Sequence, residues 1–393
     1  MTLTERLRRL REHASARCPQ LPQPHPAYTL IFSVSDGNER ADTLHASGKS
    51  FDACWKDVLI RLRRRMNRRK LKGRFLRLDW VESAEARSWG DFCVLLEKTK
   101  RGFFRYGLAL DPAFTFLLTE QECNANAIFY DPADYNSSRF HPENFATYAA
   151  SRFPGLFAAP QGPDQEAWMI ETAGVFCGED GVPHPLPGLL PGDPVTAGLY
   201  TGHRDPGRLT PDILDKAVAG GARWLARQIE KSGKYVYGRM PCFDRRLTSY
   251  NALRHASSTY ALLEYLEYSA DEEVRAPAER ALRYLTGELL REYEIMPGKR
   301  AVFLVDEIHD EIKLGGNGVS LLALAKWRDI TGTDEHLPLM ELLADGITHM
   351  QDQTTGSFVH VLSASDLSLK ERGRTIYYDG EAVFGLLRLY RHT

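Results

Sequence analysis

A repeat of 62 residues in the second half of the chain limits its architecture more than any other feature. The segments ALLEY (261–265), ALAKW (323–327) and GLLRL (385–389) align at this fixed spacing, and each is rich in Ala or Leu. A single helical hairpin cannot bury its apolar stripe, so repeats of this kind stack on one another to close a core. The repeat therefore predicts helical hairpins arranged around a common axis.

Three polar residues occupy one register of this repeat. His255, Asn317 and Asp379 lie 62 residues apart, and each is followed by Ala or Gly. They fall at the predicted starts of the inner helices, where free backbone N–H groups attract an acceptor or an anion. We expect them to surround one mouth of the helical stack and to bind a ligand there. The alternative is that they are ordinary N-cap residues with no part in chemistry.

The length of 393 residues favours two domains. We predict an N-terminal helix and Pro-rich linker over 1–26, an α+β domain over 27–150, a Pro/Gly-rich connector over 151–209 and a helical domain over 210–393. The fold class is thus an α+β domain followed by an all-α (α/α) toroid, or incomplete barrel, with short β-hairpin insertions. A helix is predicted at 120–130 in the α+β domain. In the helical domain, helices are predicted at 211–231, 251–268, 272–293, 317–330, 335–351 and 380–391, with β-prone segments at 234–237, 302–305 and 358–361.

Charge, cysteine spacing and hydropathy exclude several classes of protein. The net charge of −2 gives no overall attraction to nucleic acid or anionic lipid. The six cysteines are scattered without a CxxC pair, which argues against a zinc site and favours free thiols in a reducing, cytoplasmic environment. The first 26 residues carry charge from Glu5 onward and do not resemble a secretory signal. No apolar run approaches the ~20 residues of a membrane helix.

The residues before the first of the three helix starts are rich in groups that transfer protons or bind anions. His255 and Tyr250 are candidate acid–base residues, because imidazole titrates near neutral pH and a nearby cation could activate the phenol. Arg245 or Arg254 could hold a carboxylate through two parallel hydrogen bonds, and Asp244 lies beside them. A buried histidine bonded to a neighbouring backbone group is the alternative.

The other two helix starts follow acidic and aromatic segments. Glu307 belongs to the run DEIHDE (306–311), which supplies paired carboxylates or only a solvated acidic hairpin. Its single histidine among carboxylates is not a recognisable metal spacing, so no metal is predicted. Tyr378 and Glu381 flank Asp379 and form a candidate acid–base pair. Glu381 would also stabilise the helix simply by lying in its first turn.

The stretch 61–74, which begins at Arg61 and ends at Arg74, holds nine basic residues in fourteen. It could bind a polyanion, with an affinity that falls with salt. The alternative is a helix face solvated by its charges, since no aromatic residues are interleaved as a base-stacking platform. The sequence shows no P-loop, GxGxxG or GxSxG motif, and no cofactor is predicted.

The region 210–393 resembles the helical toroids of carbohydrate-active enzymes. The segments that carry the resemblance are RHASSTYALLEY (254–265), LGGNGVSLLALAKW (314–327) and IYYDGEAVFGLLRLY (376–390). The group includes six-hairpin glycosidases, unsaturated uronyl hydrolases, polysaccharide lyases and the C-terminal domain of glucuronyl C5-epimerases. Only three to four hairpins are present here, where a complete toroid has six, so the smaller epimerase-type domain is the nearer likeness.

This resemblance implies an enzyme that acts on an anionic, uronic-acid-containing glycan by epimerisation, elimination or hydrolysis. Tyr250, His255, Tyr378 and Glu381 would transfer protons. The remaining candidates would bind the substrate: Asp244, Arg245, Arg254, Glu307, Asn317 and Asp379. Two alternatives stay open, namely a helical-toroid enzyme that modifies peptides or amino acids, and a binding scaffold without catalysis.

Overall fold

A computed structural model describes residues 1–124, 127–131, 133–156, 159–160, 162–189, 201–205 and 207–393. The chain forms two compact units. The first comprises Met1–Gly207 together with Arg239–Arg245, and the second comprises Arg208–Gly238 together with Arg246–Thr393. The chain therefore enters the second unit, returns to the first for a few residues, and then enters the second again.

The first unit is built on an antiparallel sheet. Its strands in spatial order are β2-β1-β3-β6-β4-β5, and β7 also pairs with β6. The elements in chain order are α1 (Leu3–Ser15), β1 (Tyr28–Ser35), β2 (Asp42–Gly48), α2 (Phe51–Arg69), β3 (Phe75–Ser88), α3 (Trp89–Glu97), β4 (Gly107–Ala109), β5 (Leu117–Leu118), α4 (Glu120–Cys123), α5 (Pro142–Arg152), β6 (Glu166–Cys177) and β7 (Pro183–Leu186).

Both faces of this sheet are covered, as the alternation along β1 shows. Leu30, Phe32 and Val34 pack in one cluster with the apolar faces of α1 and α2. Ile31, one residue out of phase, packs on the opposite face with Trp168 of β6. Successive side chains of a strand point to opposite sides, so a strand that is apolar at both phases is buried on both.

Two predictions for the first unit are wrong. The segment 151–209, expected to be an irregular connector, contains the twelve-residue strand β6, which pairs along most of β3. The apolar sequence of β6 lies between Pro/Gly-dense stretches, and for that reason the strand was not predicted. The helix expected over 120–130 is only the four-residue α4. A reciprocal cap between Thr119 and Glu122 begins it, but the chain turns away after Cys123.

The second unit contains six helices and a five-stranded sheet. Its elements are α6 (Pro211–Arg227), α7 (Ala252–Tyr268), α8 (Glu272–Tyr284), β10 (Leu290–Met296), β11 (Lys299–Asp306), β12 (Glu311–Lys313), α9 (Leu314–Thr331), α10 (Leu337–His349), β13 (Val361–Ser363), β14 (Leu369–Glu371) and α11 (Tyr377–Tyr390). The short strands β8 (Arg239–Met240) and β9 (Arg245–Arg246) pair with each other where the chain returns to the first unit. All six helices predicted for this unit are confirmed, although α8 ends nine residues early and a π-helical segment, Leu285–Leu289, leads from it into β10.

The central element of the second unit is α9. Every residue from Leu314 to Lys326 is buried, and the helix packs against α7 on one side and α11 on the other. A helix that is apolar around its whole circumference must lie inside a core. The run GGNGVSLLALA has this composition, and α7, α9 and α11 are the three helices that the 62-residue repeat brings into register.

The prediction of an all-α toroid is not confirmed. The six helices share their core with a five-stranded sheet of order β10-β11-β12-β13-β14. The predicted β-prone insertions at 302–305 and 358–361 lie in or beside this sheet, where Val305 pairs with Ile312 and Ile312 pairs with Leu362. Insertions expected to be separate hairpins therefore join into one element, and the second unit is a mixed α and β structure.

Candidate functional site

The starts of α9 and α11 lie close together because glycines replace side chains between the two helices. A Cβ atom on Gly318 would come within 2.5 Å of the Glu381 backbone, and one on Gly385 within 2.7 Å of the Gly318 carbonyl oxygen. A Cβ on Gly315 would collide with the Glu381 carboxyl group and the Tyr378 ring. The small residues of the repeat thus bring Tyr378 and Glu381 against the first turn of α9.

A charged network borders this point. Lys313, the residue before α9, places its Nζ 2.7 Å from Asp306 Oδ2 and 3.0 Å from Glu311 Oε2. The guanidinium of Arg374 donates two hydrogen bonds of 2.9 Å to the two Glu311 oxygens. The Arg374 hydrogen bonds are the main cause that lowers the pKa of Glu311 to about 2. Both cations are therefore fully engaged by carboxylates.

His360 adds a second polar pair to the same region, and sequence reasoning missed it. Its Nδ1 accepts hydrogen bonds from the backbone N–H groups of Arg374 (2.8 Å) and Thr375 (3.2 Å). The proton of the neutral ring therefore sits on Nε2, which donates to Asp379 Oδ2 at 3.3 Å. The only signal in the sequence was its place in the β-prone segment 358–361, which contains no other candidate residue.

Glu381 differs from the other carboxylates of this cluster. Its Oε2 atom is buried and has no hydrogen-bond partner in the described part of the chain. Burial raises its pKa above the ordinary value of 4.5. Burial likewise raises the pKa of Tyr378, whose ring centroid lies 5.4 Å from that of His360. We call Asp306, Glu311, Lys313, His360, Arg374, Tyr378, Asp379 and Glu381 the helix-start cluster.

Tyr250 and His255, the other predicted acid–base pair, form a closed hydrogen-bonded chain in the core. The N–H of Tyr235 donates to Tyr250 Oη (3.1 Å), and Tyr250 Oη donates to His255 Nδ1 (2.6 Å). His255 Nε2 then donates to the carbonyl of Ala281 (2.9 Å). Both ring nitrogens are used, the residue is 2% exposed, and burial lowers the pKa of His255 to about 4. This is the bonded core histidine that the sequence left open as an alternative.

The remaining predicted residues do not join the cluster. Asn317 is buried in α9, where its Oδ1 accepts from Leu304 N–H and its Nδ2 donates to Lys313 O, both at 2.8 Å. Glu307 is exposed and paired with Arg291, and Arg254 is exposed. The three residues that share one register of the repeat therefore do not surround one opening. The polar side-chain atoms of His255 and Asn317 are hydrogen-bonded inside the core, and only Asp379 belongs to the cluster.

Asp244 and Arg245 belong to the first unit. Asp244 accepts the backbone N–H of Arg40 at 2.8 Å and pairs with Arg239 at 3.3 Å. The Nη2 atom of Arg245 lies 3.0 Å from the sulfur of Met240. Within the described residues, no group of three or more His, Cys, Asp or Glu side chains is placed to hold a metal ion. No helix among them is long and apolar enough to cross a membrane.

Comparisons with known proteins give only a partial likeness. No family model and no curated protein sequence matches the chain. A cellobiose 2-epimerase structure from Bacillus thermoamylovorans B4167 aligns with 45% of this chain and 51% of its own, at 13% identity and a TM-score of 0.35. A cellobiose 2-epimerase structure from Spirochaeta thermophila DSM 6192 aligns with 47% and 51%, at 18% identity and a TM-score of 0.30. The alignment thus spans about half of each structure, and likeness of this degree assigns neither fold nor activity.

Proposed function

We propose that the second unit is a carbohydrate-active enzyme of the epimerase or isomerase type, with Glu381 as its acid–base residue. The observation that carries the proposal is the Glu381 carboxyl group, which has a buried, unpartnered oxygen and a raised pKa. A carboxyl group whose pKa approaches the working pH can both take up and return a proton. Tyr378, beside it against Gly315, supplies the second group that a proton exchange at carbon requires.

We propose a neutral, polyhydroxylated substrate in place of the uronic-acid glycan. Asp306, Glu311, Asp379 and Glu381 face three cations, Lys313, Lys370 and Arg374, and each of these already pairs with a carboxylate. A substrate carboxylate would meet excess negative charge and no free cation, which costs affinity. Hydroxyl groups can donate to carboxylates and accept from His360 or Tyr378 without adding charge. Epimerisation at the carbon next to a sugar carbonyl fits this charge balance.

Proton exchange with solvent tests the proposal. Neutral aldoses and disaccharides are incubated with the protein in D2O, and NMR follows both deuterium entry at carbon and the appearance of an epimer. We expect Glu381→Gln and Tyr378→Phe each to reduce turnover at least ~100-fold, the usual contribution of a general acid or base. Glu341→Gln, an exposed carboxylate on α10, is the matched control and should keep wild-type turnover. Wild-type rates in both cluster variants would refute the assignment.

The pH profile of the same reaction gives a second measurement. If Glu381 acts as the base, kcat/KM falls on the acid side as its carboxylate becomes protonated. Burial raises its pKa, so this fall should centre above the ordinary carboxyl value of 4.5. A profile that is flat through that range would contradict the role of Glu381 even if the protein proved to be an epimerase.

A further inference from the structure

Four arginines converge on a cavity in the first unit. Arg40 precedes β2, Arg65 and Arg69 lie in the last turns of α2, and Arg152 ends α5. Together they line a cavity of about 390 Å³, which we call the arginine pocket. Its wall is completed by Thr43, Thr147 and Ser151 and by the returning segment that carries Asp244.

Carboxylates hold three of these guanidinium groups in place. Arg65 Nη1 lies 2.9 Å from Asp42 Oδ1, and Arg69 Nη1 lies 3.1 Å from Asp42 Oδ2. Arg152 Nε donates to Glu122 Oε1 at 2.8 Å. Asp42 and Glu122 are themselves buried, so these pairs fix the position of the arginine side chains. The pocket is therefore organised before any ligand arrives.

Positive charge and hydrogen-bond donors remain unused in this pocket. The Arg152 side chain is 5% exposed, and its Nη2 atom is buried with no acceptor among the described residues. A buried donor without a partner costs ~1–3 kcal/mol, so such groups are normally satisfied by a ligand or by water. Arg40 stacks 4.5 Å from the Tyr148 ring centroid, and no described carboxylate forms an ion pair with it.

We propose that the arginine pocket binds the oxyanion group, phosphate or carboxylate, of a small molecule. Arg152 Nη2 would donate to one oxygen and the guanidinium of Arg40 would donate to the others, in the forked geometry that suits planar and tetrahedral anions. A volume of about 390 Å³ is in the range of small-ligand sites. This site lies in the first unit and is independent of the function proposed for Glu381.

Calorimetric titration of the full chain at constant ionic strength tests the proposal. The probes are inorganic phosphate, glucose 6-phosphate and glucuronate, with glucose as the uncharged control. We expect one saturable site for at least one anion, and saturating glucose should not displace the anion from it. Binding of the two phosphate compounds without glucuronate identifies a phosphoryl ligand, and the reverse identifies a carboxylate.

Three variants localise this binding. Arg40→Gln should weaken it about tenfold or more, the scale of a lost hydrogen bond between charged groups. Ser151→Trp should abolish it by filling the cavity without removing charge. Arg64→Gln removes a charge from the same helix outside the pocket and should change affinity less than about twofold. Equal weakening by Arg64→Gln, wild-type binding by Ser151→Trp, or no saturable binding of any anion would overturn the proposal.

Discussion

At the scale of single residues, the core of the second unit uses polar side chains as fixed connectors. The chain of hydrogen bonds from Tyr235 through Tyr250 and His255 to Ala281 links the segment before β8 to α7 and α8. Each donor in this chain has one acceptor, so the imidazole must stay neutral to keep its Nδ1 available. Protonation would stop Nδ1 from accepting the Tyr250 hydroxyl proton and would place a cation in the core near Lys234.

This requirement predicts a loss of stability in acid. Burial, with a smaller contribution from Lys234, lowers the pKa of His255 from 6.5 to about 4 in the folded chain. The unfolded chain therefore binds an extra proton between these values, and the free energy of unfolding falls as pH falls from 6.5 towards 4. The slope from one such group approaches ~1.4 kcal/mol per pH unit.

Urea unfolding at a series of pH values measures this slope, and hydrogen exchange of the α7 amides assigns it to the second unit. His255→Gln should be less stable at pH 7 and should lose part of the slope between pH 6.5 and 4. Above pH 7 the residue is neutral in both states, so the two proteins should there run parallel. An unchanged slope in acid would show that other groups carry the effect.

Asn317 predicts a different kind of effect, because its side-chain oxygen is the acceptor of a buried backbone N–H, that of Leu304. Asn317→Ala leaves the N–H of Leu304 buried and without an acceptor, whereas the Lys313 carbonyl, at the N-cap of α9, keeps the first backbone hydrogen bond of that helix. We expect a loss of at least ~2 kcal/mol in the free energy of unfolding, measured by urea denaturation. The Asn317 side chain bonds to Leu304 and Lys313 and not to the carboxyl of Glu381 or the hydroxyl of Tyr378, so turnover per folded molecule should change little. Full stability in the variant would mean that water replaces the amide.

At the scale of elements, the crossing of α9 and α11 decides how the repeat packs. Gly385→Ala would place a methyl group 2.7 Å from the Gly318 carbonyl oxygen, which the two helices can accept only by moving apart. We expect a loss of ~1–3 kcal/mol, the usual cost of overpacking, measured by thermal or urea unfolding.

Gly380→Ala is the matched control on the same helix. A Cβ at residue 380 meets nothing within 4 Å, so only the helix preference of Ala over Gly remains. This change should leave stability equal or raise it by up to ~1 kcal/mol. Equal destabilisation by both substitutions would show that the close approach of α9 and α11 does not depend on the glycine at 385.

The helices could be predicted because the apolar residues of each repeat recur at helical spacing, which shows which face of each helix is buried. The repeat predicts a helix at 317–330, and α9 confirms it, but the central position of this helix in the core does not follow from the repeat. The sheet of the second unit was harder to predict, since β12, β13 and β14 have only three residues each and their pairing joins distant parts of the chain. The same limit applies to the candidate site: Tyr378 and Glu381 follow from the register, whereas the Arg374–Glu311 pair and His360 depend on that sheet.

At the scale of the whole molecule, the first unit is discontinuous in sequence. Residues 239–245 belong to it, and Cys242 is 7% exposed in the same apolar cluster as Phe145 and Tyr148 of α5. The segment also supplies Asp244, which accepts the Arg40 N–H, and it forms one wall of the arginine pocket. The first unit is therefore not complete at Gly207.

A pair of fragments tests this dependence. Chain 1–207 lacks the returning segment, and chain 1–245 contains it. We expect 1–207 to be less stable by about 2 kcal/mol, since the site of a buried side chain is left empty and one backbone donor loses its acceptor. Thermal unfolding and exchange of the α5 amides compare the two. Identical melting temperatures would show that residues 239–245 do not contribute to the stability of the first unit.

The return of residues 239–245 to the first unit also determines when this unit can finish folding during biosynthesis. A domain made of one continuous stretch can finish folding as soon as its last residue leaves the ribosome. Here the sheet of the first unit can form early, but the wall carrying Cys242 and Asp244 arrives only after α6 has been made. During translation the first unit therefore stays incomplete, with one side of α5 exposed, although part of the second unit has already left the ribosome.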